Sequence, residues 1–398
     1  MAAHDWCEMD ISAIKVIGLG GGGSRIVEDA AESLPEGAQV EIIDTDSRSL
    51  DSSELGAKTL IGRGRSDGFG AGGDPVFGNL CAEDEVAIIS SMFADIKLAV
   101  IVCALGGGTG SGAAVPVIKA ARAAGTTTLC FATLPFSFEG IPRRKAAETM
   151  LKEICEEADS VVVADNNRLT EVSESDNLEE NFAAINQVIR SGFCSIIKLL
   201  IQPGYININF SDMQNVLRRS GGTCTFGYGS GQGQNRAAVA VRSLLDSPLL
   251  EKGEILSSAK SVLVSVVSGP DLTLKEVGDI MSKVSANLSD SAHVSMGTVL
   301  DKQWRKKIAV TAIVSEQWKG EPGESAVAAD VPAGDEKAAP VLGGRSPVKR
   351  RSKAEQRQAK LVPGAEESDR FRGAEPTRVN GEDLDIPTFI RRDIQLDK

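Results

Sequence analysis

Short apolar runs alternate with glycine-rich turns and helical periodicity through the first half of the chain. Ile14 to Ile17 is a β-branched run ending in Gly18-Leu19-Gly20-Gly21-Gly22-Gly23; Ile26, Val27, Ala30 and Leu34 then recur at helical spacing until Pro35 and Gly37 stop the helix. Val40 to Ile43 reads as the next strand, followed by Asp44-Thr45-Asp46 and, later, a glycine-rich loop from Gly68 to Gly73. The continuous apolar strand Leu98 to Leu105 feeds Gly106-Gly107-Gly108-Thr109-Gly110-Ser111-Gly112 and an alanine-rich helix to Ala124. Thr128 to Leu134 and Ser160 to Ala164 complete the set. Unbroken apolar strands of this kind predict a buried, parallel sheet with crossover helices.

From Leu178, the spacing of Phe182, Ile185, Ile189, Phe193, Ile196 and Leu200 describes one long helix joining two lobes, with Gly192 tolerated inside it. Val262 to Val267, a helix around Leu274 to Leu288, His293 to Thr298 and Ile308 to Val314 predict a smaller sheet packed with one or two helices. From Glu316, Pro, Gly, Ala and charge dominate until Leu384. That stretch cannot bury enough surface to offset backbone ordering at about 1 to 2 kcal/mol per residue, and is expected to be disordered. The expected fold class is α/β. A flexible segment (1–11) leads into a Rossmann-like parallel-sheet domain (12–177), a central connecting helix (178–203), a smaller α+β domain (204–316), a disordered linker (317–381) and an end peptide (382–398).

Composition narrows the function classes. The 43 basic and 55 acidic side chains give a formal charge of −12, which disfavours a general nucleic-acid binder. Cys7, Cys81, Cys103, Cys130, Cys155, Cys194 and Cys224 are odd in number, widely spaced and mostly set in apolar runs, so they read as reduced cytosolic thiols. With His4 and His293 the only histidines and no CxxC pair, a zinc site or a histidine-based triad has little material. Met1 to Asp10 lacks an apolar core and Leu98 to Leu105 is too short to span a bilayer, so a soluble, intracellular protein is expected.

The glycine loops carry the chemistry. Backbone N–H groups approach phosphate closely only where no Cβ intervenes, and a following helix N-terminus adds partial positive charge. Gly18 to Gly23 satisfies GxGxxG after a strand, with Asp44 or Asp46 about 20 residues on, as a dinucleotide site would require. Taken alone, that loop leaves a dinucleotide site, another phosphate site and a structural turn all open. A second cradle at Gly106 to Gly112 on the same sheet is more than a dinucleotide fold needs, and it is not a P-loop because no GK[ST] follows.

Gly106-Gly107-Gly108-Thr109-Gly110-Ser111-Gly112 matches the signature GGGTG[ST]G of the tubulin/FtsZ superfamily letter for letter, and the chain resembles that family from about Ser12 to Val314. The resemblance implies GTP and GDP as ligands, with Mg2+ bound alongside the nucleotide. It implies phosphate contacts from Gly20, Gly21, Gly22, Gly23, Ser24 and Arg25, from Ala71 and Gly72, and from Gly106, Gly107, Gly108, Thr109, Gly110 and Ser111. Glu139 and Arg143 would meet sugar or phosphate, Asn166 the base or ribose, and Asp46 is carried as a further nucleotide contact. Phe182 would stack on the purine and Asn186, one turn on, would hydrogen-bond its edge. Ordinary core packing is the other reading of Phe182, and an amide serves adenine as well as guanine.

The same resemblance implies that a loop after the long helix, NxDxxD in the family, completes the neighbouring subunit's site. Here it reads Asn207-Ile208-Asn209-Phe210-Ser211-Asp212. Asp212 would orient the attacking water, while Asn209 stands in place of a carboxylate and cannot take a proton, so slow, assembly-dependent hydrolysis is expected. Asn209 or Ser211 would equally serve as a helix cap. Arg25 and Asp44 (for asparagine) and Asp67 (for arginine) are further departures of a divergent member. Gly227 to Gly233, Arg236-Ala237-Ala238 and Ser247-Pro248-Leu249-Leu250-Glu251 also resemble family segments but report on fold alone.

The chain ends near a family-like peptide in which Leu384, Ile386, Pro387, Phe389, Ile390 and Arg391 would bind partners. The implied partners are further copies of the chain, head to tail, and membrane-tethering or ring-regulating division proteins; the membrane is reached only indirectly, from the cytoplasmic side of the division site. Arg345, Lys349, Arg350, Arg351 and Lys353 read as solvated linker, or as a contact for anionic lipid or an acidic partner. Three functions remain open: a polymerising GTPase of the division scaffold, a GTP-binding scaffold that hardly hydrolyses, and a dinucleotide oxidoreductase resting on the first loop alone.

Overall fold

The computed structural model describes residues 10–170, 177–202, 204–208, 210, 213 and 223–315, with the backbone alone of 378–379 and 382–383 and no side chain at 178. The chain divides into two units, Met1–Gly323 and Glu324–Lys398.

In the first unit, β1 (Ile14–Leu19) is buried throughout and passes directly into α1 (Gly20–Ala31). β2 (Gln39–Asp44), α2 (Ser47–Ser52), β3 (Lys58–Leu60), α3 (Arg63–Ser66), α4 (Pro75–Asp84) and α5 (Val86–Ser91) follow. β4 (Leu98–Ala104) leads through α6 (Gly108–Gly112) into α7 (Ala114–Ala123), then β5 (Thr127–Leu134), α8 (Ile141–Glu157), β6 (Ser160–Asp165) and α9 (Asn166–Leu169). The order β3-β2-β1-β4-β5-β6 is parallel throughout. Both faces of this sheet are covered by apolar clusters, which is why its strands are continuously apolar.

α10 (Leu178–Ile201) begins where Asn177 Oδ1 accepts from the Glu179 amide, with Glu179 and Glu180 in the first turn and Lys198 in the last, each complementing the helix dipole. It ends two residues before the expected boundary. By length and composition α10 is the one described helix able to cross a membrane; its Ile185, Ile189, Phe193, Ile196 and Ile197 lie in the protein core. Gly192 is there for packing, since a Cβ would lie 2.7 Å from the Phe226 ring.

β7 (Thr223–Gln232), α11 (Arg236–Leu245), α12 (Glu254–Ser257), β8 (Ser261–Ser268), α13 (Leu274–Ser285), β9 (His293–Leu300) and β10 (Lys307–Ser315) complete the unit. The smaller sheet expected here, β7-β10-β8-β9, is present and is hydrogen-bonded to the parallel sheet at β6. One ten-stranded sheet runs β3-β2-β1-β4-β5-β6-β7-β10-β8-β9, joined among the described residues by the parallel pairs Val161 with Thr223 and Val162 with Cys224. β10 then pairs antiparallel with β7 and β8, and β8 parallel with β9. In the second unit the described backbone is an antiparallel pair, β11 (Arg378–Val379) with β12 (Glu382–Asp383), which straddles the expected boundary between linker and end peptide.

Candidate functional site

β1, β2, β4, β5 and β6 run in one direction, so the turns after Leu19, Asp44, Ala104, Leu134 and Asp165 open at a single edge of the sheet. Ligands of open α/β sheets bind at such carboxyl ends. The two glycine turns touch there. Gly20 sits at φ +66°, and a Cβ on it would lie 2.7 Å from the Gly110 nitrogen and 3.3 Å from Thr109 Cβ. Gly22 and Gly23 face inward, where a Cβ would stand 2.5 Å from Ala104 Cβ and 2.3 Å from the Val102 oxygen. The third loop docks on the second, since a Cβ at Gly108 would meet Ala71 Cβ at 2.7 Å.

Other glycines of this edge face nothing. Gly107 and Gly72 have no heavy atom within 4 Å of a built Cβ, and Gly21 has only Ser49 Oγ at 3.8 Å. Bare backbone of this kind admits an incoming anion. Two buried polar atoms also wait there without partners, Ser24 Oγ in the first turn of α1 and Asn166 Oδ1 at the start of α9. Buried polar atoms are nearly always paired, so such orphans mark places for a ligand's own groups.

Side chains fix these turns. The hydroxyls of Thr45 and Thr109 lie 2.6 Å apart, and Ser111 Oγ accepts from the Gly106 amide at 2.8 Å. Asp46 caps α2, accepting from the Arg48 amide at 2.9 Å, and that bond holds its carboxyl below the usual range. One oxygen of this expected nucleotide contact is thus committed to its own helix. Glu139 accepts from the Phe136 amide at 2.9 Å and pairs with Arg143 at 3.0 Å, while Arg143 covers Gly106, whose Cβ would lie 2.7 Å from Arg143 Cγ. Arg25 is exposed on α1.

At the other end of the edge, Phe182 is 39% exposed and meets Phe136 edge-on, with centroids 5.6 Å apart. Phe136, Leu169, Thr170, Asn181, Phe182 and Ile185 line a cavity of about 110 Å³. Packing and availability therefore coexist on this ring. Asn186 Nδ2 donates to Asp29 Oδ2 at 3.0 Å, which engages one of the two N–H donors of its amide.

Several members of the site carry no local sequence signal, because their partners are distant. Besides Asp29 and Thr45, Arg144 grips Asp165 with Nη1 and Nη2 at 3.1 and 2.8 Å. This bond raises the guanidinium pKa further. Burial pushes the Asp165 carboxyl up, but the bonds from Arg144 and from the Asn167 amide outweigh it and keep it ionised, anchoring the turn that carries Asn166.

Asn207 Oδ1 accepts from the Gly204 amide at 2.9 Å, closing its own turn. Asn209 and Asp212 lie outside the described residues, as do Leu384, Ile386, Pro387, Phe389, Ile390, Arg391 and the basic cluster from Arg345 to Lys353. Among the described residues no His, Cys, Asp or Glu group is arranged to hold a metal.

The tubulin/FtsZ GTPase domain matches residues 13–174 and the FtsZ C-terminal domain residues 222–317. Cell division protein FtsZ 1 of Archaeoglobus fulgidus is 35% identical over 316 residues, 78% of this chain and 85% of its own. The chain belongs to the tubulin/FtsZ family and is a GTPase. The FtsZ fold extends to solved structures. An empty FtsZ dimer of M. jannaschii superposes with a TM-score of 0.71 at 29% identity, over 79% of this chain and 94% of that one. A GTPγS-bound protofilament of CetZ2 from Haloferax volcanii gives 0.65 at 25% identity, over 77% and 94%.

Proposed function

We propose that this FtsZ-family chain is a cytoplasmic division-scaffold protein that polymerises head to tail on GTP and hydrolyses it at the junction between subunits. The contact between Gly20 and Gly110 carries the reading, because it sets two glycine-rich turns side by side at the carboxyl edge of the sheet. Gly20 to Arg25, Ala71, Gly72 and Gly106 to Ser111 bind the phosphates; Glu139, Arg143 and Asn166 hold the sugar; Phe182 and Asn186 take the base. Asp46 stabilises the turn beside them. With no carboxylate cluster among the described residues, Mg2+ would ride on phosphate oxygens and water, its usual preference, and neutralise charge there.

The rim of this edge supports self-association. Phe69, Val76, Phe138 and Ile141, on segments that adjoin the glycine turns, are each about 70% exposed, apolar surface that a neighbouring subunit would cover. α10 carries the chain about 36 Å away, to a turn where Tyr205 is also 66% exposed. Opposed sticky ends favour heterologous, open-ended assembly. A neighbour arriving with its Asn207 to Asp212 loop would bring the Asp212 carboxylate to the terminal phosphate to orient water, with Asn209 only positioning it. The end peptide recruits membrane-tethering and ring-regulating proteins, so the membrane is met indirectly at the division site.

Phosphate release against protein concentration tests this. A critical concentration is expected; Asp212→Ala should cut turnover about 100-fold or more while sparing GTP binding, and Asn209→Asp should raise it. Unchanged turnover in both variants refutes the loop's role, and GTP-dependent light scattering with negligible phosphate release would establish the non-hydrolysing scaffold instead.

A further inference from the structure

Asp29 was not among the expected site residues, yet it occupies the surface where the base end of the site meets α1. α1 starts at the phosphate turn and rises about 1.5 Å per residue, so Asp29 stands roughly 13 Å along the helix from Gly20. α1 packs against α10, and there Asp29 Oδ2 receives Asn186 Nδ2 at 3.0 Å while the Asp29 carbonyl receives Arg190 Nη1 at 2.9 Å. Phe182 is one helical turn before Asn186.

A carboxylate only accepts hydrogen bonds, so it can pair with just one end of a carboxamide. Asp29 therefore fixes which way the Asn186 amide is turned: nitrogen to α1, oxygen free, with no hydrogen bond to Oδ1 among the described residues. We propose that Asp29 is a positioning residue that sets purine choice, holding Asn186 so that the base meets the Oδ1 edge of the amide rather than its nitrogen. Guanine presents N1–H and N2–H donors to such an edge. Adenine presents the bare N1 lone pair, which faces acceptor oxygen and is left unpaired. A site built this way discriminates by the buried polar group that the wrong ligand strands. This deepens the GTP reading of the same site and rests on it.

The test is displacement of a fluorescent GTP analogue from the full-length chain by GTP and by ATP, below the assembly concentration. The wild type should prefer GTP. Asp29→Ala should lower the GTP:ATP ratio about tenfold or more, at unchanged thermal stability, because the amide is freed to turn. Asp29→Asn should retain most of the preference, since a carboxamide oxygen still accepts from Asn186. Asn186→Ala should lose it, and Asp29→Ala/Asn186→Ala should lose no more than Asn186→Ala, the mark of a residue acting through another. A wild-type ratio preserved in Asp29→Ala, or additive losses in the double variant, overturns the inference while leaving the GTP site intact. A wild type that ignores guanine nucleotides overturns the site reading, and this inference with it.

Discussion

Glycine is used in two opposite ways on this sheet. At the ligand edge, Gly21, Gly72 and Gly107 look onto open space, whereas Gly227, Gly229 and Gly231 of β7 look onto protein. A Cβ at those three would lie 2.4 Å from Leu250 Cδ1, 2.1 Å from the Ala240 oxygen and 2.2 Å from the Arg236 oxygen. The period of two puts them on one face of the strand, and that face is pressed against the backbone of α11 at Gly229 and Gly231 and against the Leu250 and Leu244 side chains at Gly227. The first set leaves room for something the chain does not contain; the second leaves room for one of its own helices. Gly20 belongs to both kinds, since its missing Cβ makes space for the Gly110 backbone and thereby joins the two turns.

The contrast breaks most sharply at β7. Gly229→Ala should destabilise the fold by roughly 4 kcal/mol, because backbone rather than a flexible side chain stands in the way, and thermal melting would show it. If its melting temperature matched the wild type, the clearance argument would be wrong.

α11 is also tied down through the side chain of its first residue. Arg236, with its side chain 6% exposed, bonds Glu276 at 2.7 and 3.0 Å and Asp271 at 2.7 Å. Removing the guanidinium leaves two partly exposed carboxylates without their partner, so Arg236→Ala should cost about 2 kcal/mol near neutral pH. The bond from Arg236 holds the Glu276 carboxyl below its usual range, against the opposing push of burial. A depressed folded-state pKa contributes stability above the unfolded value, about 4.3 for glutamate, and loses it as pH falls through the folded one. The gap in melting temperature between wild type and Arg236→Ala should therefore shrink below that pH; a constant gap would remove Glu276 from the account.

The gentlest perturbation is at the ligand edge. Gly107→Ala meets nothing within 4 Å and needs no positive φ, so melting should be unchanged while GTP affinity falls about tenfold. Equal affinity, measured by equilibrium displacement, would mean that this backbone faces solvent and not phosphate.

The parallel half of the fold was legible because each strand is buried on both faces and each ends in a turn of marked composition. Ile14 to Ile17, Leu98 to Leu105 and Ser160 to Ala164 all fall within observed strands or one residue beyond them. The pairing of the smaller sheet onto the parallel one was not legible, because nothing in Val161-Val162 or Thr223-Cys224 marks them as partners. Nor was the Asp29–Asn186 bond, whose partners lie 157 residues apart and resemble any solvated helix residues. Ser24 was expected from its place in the first turn, but its burial without a partner is a property of packing that no local pattern encodes.

The seam between β6 and β7 has a mechanical consequence. Phe131 of β5 meets Phe193 of α10 and Phe226 of β7 edge to face across it, with centroids 5.6 and 6.0 Å apart, inside one apolar cluster that spans both halves. A joint filled in this way is stiff: strain entering at the glycine turns of the parallel half is handed on, ring to ring, to the mixed half.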